Sequence, residues 1–329
     1  MSGVVIEVED LRKAYGPVQA VDRISFSVAE GEIFGFVGPN GAGKTTTIEC
    51  VEGLRRPDQG TIRVLGIDPH RDPYRLRPLV GMQLQQSEVP DLLRVHEVIG
   101  VFSALYPRSV NGDALLARVG LEHRRRARVG RLSGGEKQRL FIALALVSDP
   151  KVVFLDELTT GLDPHARRQM WNEVRRLRED GRTIVLSTHF MEEAERLCDR
   201  VAIVDRGRIV ALDSPQDLIH RFGGGRRLVV EVAPEADVSG AVHALQALPE
   251  VAGVEHRGHE LVVTGRERTL ALRAVALLAE QHVPVVDVRT EQPTLDDIFV
   301  ALTGRPMETE VSDARGVSEH GERSRGVAG

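Results

Sequence analysis

The sequence predicts an α/β fold, a mostly parallel sheet flanked by helices, followed by a smaller α+β unit. Three observations carry this. From about residue 151 to 222, short apolar runs alternate with helical patterns, the sequence habit of a parallel sheet. One apolar run feeds the glycine-rich turn Gly38–Gly43 and a helix, and another ends in two carboxylates, Asp156 and Glu157. Beyond Gly223, Gly224 and Gly225 the order becomes βαββαβ, the ferredoxin-like arrangement.

Element by element, Val4–Val8, Ile24–Val28 and Glu32–Val37 read as strands rich in Val, Ile and Phe. A helix follows from Lys44 to about Gly53, then short strands at Thr61–Val64 and Val80–Leu84. The stretch from about Val95 to Gly130 is helical in pattern, which predicts a helical subdomain at about 86–150 inserted in the α/β core. Strands at Lys151–Leu155, Thr183–Ser187, Arg200–Val204 and Arg208–Ala211 alternate with helices at Pro164–Glu179, Phe190–Leu197 and Ser214–Phe222. The first domain therefore spans 4–222. The second, 226–303, takes strands at Leu228–Val232, Val251–His256, Glu260–Thr264 and Val285–Arg289. Its helices are Val238–Leu248, Thr269–Gln281 and a last amphipathic turn, Thr294–Leu302. Residues 305–329 have little to bury and read as a disordered tail.

Composition narrows the classes. With 329 residues, 42% hydrophobic and 28% charged, the chain suits about two globular domains. A net charge of −5 gives no footprint for nucleic acid. The arginine run Arg124, Arg125, Arg126, Arg128 and Arg131 reads as a solvated surface in preference to a docking patch. The longest apolar run, Leu140 to Val147, is far short of the ~18 residues that cross a bilayer. The acidic, alternating N-terminus does not read as a signal peptide. Cys50 and Cys198 fall in helical segments and read as buried thiols.

Gly38-Pro39-Asn40-Gly41-Ala42-Gly43-Lys44-Thr45 fits the P-loop pattern. Glycines let backbone N–H groups turn inward around a phosphate, and the helix at Lys44 adds its positive end. Lys44 suits the β- and γ-phosphates of ATP, Thr45 suits Mg²⁺, and Thr46 can add a hydroxyl. At the end of the run Val152–Leu155, Asp156 suits Mg²⁺ and Glu157 suits the attacking water.

Leu132-Ser133-Gly134-Gly135-Glu136-Lys137-Gln138-Arg139 closely resembles the signature sequence of ABC (ATP-binding cassette) ATPases. It is a second anion cradle, at the start of a helix read over Glu136–Val147. The resemblance covers roughly residues 4–222 and implies further roles. Ser133, Gly134, Gly135 and Glu136 would cap the γ-phosphate held by the P-loop of a second subunit in a head-to-tail dimer. Tyr15 would stack on adenine. Gln85 would reach Mg²⁺ and water, with Gln83 and Gln86 leaving its register open. Asp163, in Gly161-Leu162-Asp163, would communicate across the dimer. His189 would contact the γ-phosphate.

Two positions depart from the family. Glu136 stands where glutamine is commonest, and Leu158 where proline is usual, which is expected to loosen the following loop. Residues 226–302 resemble, more loosely, the C-terminal domain of daunorubicin-resistance-type export ATPases, on Gln292-Pro293-Thr294-Leu295-Asp296-Asp297-Ile298-Phe299. This implies an exporter ATPase that drives a separate membrane permease from the cytoplasmic face of the membrane, most simply as a homodimer, with permease contact near Gln85–Tyr106. An importer ATPase is the alternative. A non-transport role in translation or DNA repair fits less well, because one cassette and no heptad run are present. A small-molecule kinase has no use for the signature.

Overall fold

The computed structural model describes residues 3–83, 89–223, 225–265 and 269–306. Two long strands, β1 (Val4–Tyr15) and β2 (Val18–Ala29), open the chain as an antiparallel hairpin. Both run well past the segments the sequence suggests. Alternation fails at Glu9-Asp10, but the register shifts there and Asp10 takes a positive φ of 47°, so Leu11 returns to the core as Val8 did. An irregularity of this kind lets a strand survive a broken pattern.

Next come β3 (Ile33–Val37), α1 (Lys44–Glu52), β4 (Gln59–Val64), the short α2 (Pro73–Leu76) and β5 (Val80–Gln83). The helical insert holds α3 (Val95–Ser103), α4 (Gly112–Arg118) and α5 (Gly134–Ala145). Then β6 (Val152–Asp156), α6 (Pro164–Glu179), β7 (Thr183–Thr188), α7 (Met191–Leu197), β8 (Arg200–Asp205), β9 (Arg208–Asp213) and α8 (Pro215–Phe222) complete the larger unit. Its central sheet has the order β5-β6-β7-β3-β8-β9, parallel except for β9. Strands β3 and β6 are buried at every residue, as a sheet covered on both faces requires. They flank β7, so the loops after β3, β6 and β7 emerge together at one edge, where α/β proteins place their sites. A second sheet, β2-β1-β4, packs its apolar side with Phe34, Phe36 and Ile48.

The smaller unit comprises β10 (Arg226–Val232), α9 (Ser239–Gln246), β11 (Val251–Arg257), β12 (Glu260–Gly265), α10 (Leu270–Glu280) and β13 (Val285–Glu291). Its antiparallel order β11-β12-β10-β13 is the ferredoxin-like one, with a core of its own around Val230, Leu245, Leu261 and Leu278. The last helix, α11 (Leu295–Thr303), packs elsewhere. Leu295, Ile298 and Phe299 are fully buried in the larger unit's core, against α7 and α8. Arg305, read from sequence as the start of a free tail, pairs with Asp205 at 2.5 Å. Residues 307–329 lie outside the described residues. Both cysteines are free and buried, and burial raises the Cys50 thiol to about 11.

Glu52, at the end of α1, is buried, and its Oε2 has no hydrogen-bond partner among the described residues. Burial, with Asp156 and Glu49 adding negative potential, raises its pKa from 4.5 to about 8. The folded chain thus keeps a proton that the unfolded chain releases above 4.5. Stability from this group is lost as pH climbs from 4.5 towards 8, and then levels off. Glu52→Gln is expected to stabilise the fold by roughly 2–4 kcal/mol above that range. The gain should shrink at pH 5.5, with urea unfolding as the measurement; an equal shift at both pH values would reject this account.

Candidate nucleotide-binding site

The turn between β3 and α1 is built from glycines the chain itself requires. A Cβ on Gly38 would lie 2.2 Å from Val204 O, and one on Gly43 would lie 2.3 Å from Ala20 O. Gly43 also has φ 105°, a conformation closed to other residues at low cost. Between them Ala42 is buried, and its carbonyl accepts from Gly207 N–H at 2.8 Å. Lys44 is buried too. Its Nζ donates to Gly38 O at 2.7 Å and Pro39 O at 3.0 Å, and stands 4.0 Å from Glu157 Oε1. Burial pulls its pKa below the usual lysine range, against the opposing pull of Glu157 and Asp156.

At the end of β6, Asp156 Oδ1 accepts from Ser187 Oγ, and from Thr45 Oγ1 at 3.5 Å. Burial raises the Asp156 pKa against these two bonds. Its neighbour goes the other way. The His189 ring above all, helped by Lys44 and Thr160, lowers the Glu157 pKa despite burial. His189 Nδ1 is 3.6 Å from Glu157 Oε1. Glu157 has a positive φ of 49°, costly for a residue with a side chain. Its N–H donates to Ser187 O at 3.1 Å and Ser187 Oγ at 3.2 Å, which fixes that conformation. Ser187, overlooked in the sequence, therefore anchors the Asp156 carboxylate and the Glu157 backbone; its only signal was its place at the end of a core strand. Leu158, where proline is usual, has its side chain buried in the core.

Tyr15, Asn40, Gly41, Gly43, Lys44, Thr45, Thr46 and Glu157 line one cavity of about 350 Å³. Tyr15 is 40% exposed, with Lys13 Nζ and Arg55 Cζ 5.7 and 5.3 Å from its ring centre. The cavity thus offers a ring, a glycine cradle, a buried cation and a carboxylate. Gln85 and Gln86 lie outside the described residues; Gln83 is buried at the end of β5.

Other predicted residues stand apart. Among the described residues, Ser133, Gly134, Gly135 and Glu136 do not line this cavity. Ser133 caps α5: its Oγ accepts from Glu136 N–H at 3.3 Å, and Glu136 Oε2 accepts from Ser133 N–H at 2.8 Å. Ser133 and Gly134 are exposed. Added Cβ atoms on Gly134 and Gly135 would meet only Leu162 and Ala166, at 3.7 and 3.6 Å, which is ordinary contact. The chain's own packing does not require glycine there. Asp163 is exposed and caps α6, its Oδ1 accepting from His165 and Ala166 N–H at 2.8 and 2.9 Å.

Parallel strands, a glycine turn opening a helix, and paired carboxylates two strands away define a P-loop ATPase. Residues 21–160 match the ABC transporter family. The chain is 36% identical to the daunorubicin resistance ATP-binding protein DrrA2 of Streptomyces coeruleorubidus, over 95% of this chain and all of that one. It is 39% identical to the Nod factor export ATP-binding protein I of Ralstonia nicotianae, over 92% of this chain and 95% of that one. A solved ATP-binding subunit of an ABC transporter superposes with TM-score 0.60 at 29% identity, covering 67% of this chain and 93% of that one. The chain belongs to the ABC transporter ATP-binding proteins and is an ATPase.

Proposed function

We propose that the chain drives a separate membrane permease, as an exporter subunit, by closing head to tail on a second copy around two ATP molecules. The observation that carries the dimer is the pair of glycines at 134 and 135. They leave an exposed cradle that nothing in their own chain needs, at a cost of roughly 1 kcal/mol each in a helix. The export direction is supported by relatives named for daunorubicin resistance and Nod factor export. Among the described residues no helix is long and apolar enough to cross a membrane. In this reading a partner permease does the spanning, and the subunit works at the cytoplasmic face of the membrane. The unit at 4–222 would then act as the ATPase and 226–303 as the accessory domain, whose last helix α11 packs into the ATPase core.

In this reading Tyr15 stacks on adenine, the N–H groups of residues 38–46 hold the phosphates, and Lys44 exchanges its two carbonyl partners for phosphate oxygens. Glu157, kept ionised beside His189, accepts a proton from the attacking water and lines it up with the γ-phosphorus. His189 and Gln85 complete that side, and Ser133, Gly135 and Asp163 act on the partner's nucleotide. Thr45 and Asp156 present hard oxygen donors to one point, which suits Mg²⁺. Bound there, Mg²⁺ would offset charge on the phosphates.

Lys44→Ala tests the site directly. ATP binding should weaken about 10- to 100-fold, the scale of lost charge-assisted hydrogen bonds, and turnover should vanish. Unchanged affinity in a titration would reject the site. Export coupling is tested by co-expression with a permease chain of several apolar ~20-residue spans, sought first in the neighbouring reading frames. Membrane retention and cargo-stimulated ATPase activity are expected only together with it; stimulation by uptake cargo delivered from outside would favour an importer.

A further inference from the structure

Glu136 sits in the first turn of α5, one residue from Gly135 and three from Ser133, and is buried. A carboxylate there stabilises its own helix end. It also spends the positive potential that a phosphate would use at the same end. One oxygen is committed to Ser133 N–H. The other, Oε1, accepts from Arg124 Nε at 2.7 Å, with His123 Nε2 farther off at 3.8 Å. Burial works against the ionised form, but the bonds from Ser133 and Arg124 outweigh it, so the carboxylate keeps its charge.

Arg124 comes from a fixed point. Its N–H donates to Leu121 O at 2.9 Å, and its carbonyl accepts from Ala127 N–H at 2.8 Å. That turn is clamped to the start of α3: Val95 N–H donates to Ala127 O, His96 N–H to Arg125 O, and Arg94 Nη1 to Arg126 O at 2.7 Å. Within a run that sequence reads as solvated surface, Arg125 turns to Asp113 at 2.6 Å, while Arg124 reaches the signature turn.

We propose that Arg124 is a positioning residue for the signature turn, holding the Glu136 carboxylate against Ser133 and cancelling its charge beside the phosphate that the turn receives. The inference rests on the proposal that Ser133 and Gly135 meet a second subunit's ATP. Without Arg124, the Glu136 carboxylate would stand at the receiving turn with its charge uncompensated by that guanidinium. ATP-driven dimerisation should then weaken by about tenfold or more, while ATP binding to the chain's own P-loop stays unchanged.

A double-mutant cycle on the full chain tests this. Arg124→Ala should raise the ATP concentration needed for dimerisation and turnover at least about tenfold. Removing the charge with Glu136→Gln should suppress the defect, so that Arg124→Ala/Glu136→Gln returns to within a fewfold of Glu136→Gln alone. Arg124→Lys, which restores a cation, should recover part of the loss. Equal loss in both backgrounds would make Arg124 a structural residue and overturn the proposal. So would a normal Arg124→Ala protein in an assay where Gly135→Asp is inactive, and that result leaves the signature reading intact. Normal turnover of both variants would instead bring down the signature reading itself.

Discussion

Replacing Glu157 by glutamine is expected to slow ATP hydrolysis by about 10²–10⁴-fold, the range general-base removal covers, with ATP binding little changed. The substitution keeps the shape of the side chain. It keeps an oxygen that Thr160 Oγ1 can donate to, as it now does at 3.4 Å to Oε2. What it removes is the acceptor for a water proton. It also removes the charge that faces Lys44 Nζ at 4.0 Å and His189 Nδ1 at 3.6 Å. The bonds that the residue 157 N–H donates to Ser187 O and Oγ, which hold it at positive φ, survive, so the loop should not move. Closure on ATP should proceed without reopening, and an ATP-bound dimer should accumulate on size exclusion with ATP and Mg²⁺. Near wild-type turnover would take the base assignment away. The His189 ring, helped by Lys44, holds the Glu157 carboxyl below the usual carboxylate range.

The contrast between the adjacent carboxylates follows from what each faces. Asp156 has a hydroxyl on one side, from Thr45, and another from Ser187; neither carries charge, so burial decides and the pKa rises. Glu157 faces a histidine and a lysine, and the pKa falls. An acid that stays ionised is the better candidate for a base at neutral pH. Asp156, beside the Thr45 hydroxyl, offers hard oxygen donors that suit a cation.

Much of this was legible in the sequence, because the central sheet is buried on both faces and its strands read as unbroken apolar runs. Ile33–Val37 and Val152–Asp156 announce themselves, and the glycines and carboxylates at their ends mark the site edge. The hairpin was half hidden, since polar residues around Asp10 break the alternation that a bulge then restores. Side-chain partnerships across elements left no trace either. Ser187 meets Asp156 from a strand 31 residues away, and on one turn Arg124 reaches Glu136 while Arg125 reaches Asp113. The C-terminal motif was read as the end of the small domain; only packing reveals that Leu295, Ile298 and Phe299 are buried in the larger unit. Asp163 shows two demands on one residue, since a helix cap satisfies its carboxylate whatever its role across a dimer.

A Gly135→Asp protein should bind ATP with near-normal affinity, yet fail to dimerise and lose hydrolysis by at least about 100-fold. The fold has room for the change. Position 135 has no positive φ, and an added Cβ would sit 3.6 Å from Ala166 Cβ, an ordinary contact. The substitution therefore leaves the P-loop of the same chain untouched, since none of that cavity's described lining residues comes from α5. Its charge would act instead on whatever occupies the exposed cradle. Two anions in a partly dehydrated interface repel strongly. Mixing with Lys44→Ala subunits adds a second readout. One interface of the mixed dimer then joins an intact P-loop to an intact signature, and the other collects both defects. Activity should return to the mixture at up to about half the wild-type rate per mixed dimer if one site fires alone, a value set by counting intact interfaces. Strict coupling between sites would keep the mixture silent but would still leave Gly135→Asp monomeric in ATP. The outcome that ends the head-to-tail arrangement is a Gly135→Asp protein that stays monomeric and hydrolyses ATP at the normal rate, because such a chain completes the reaction with its own residues alone.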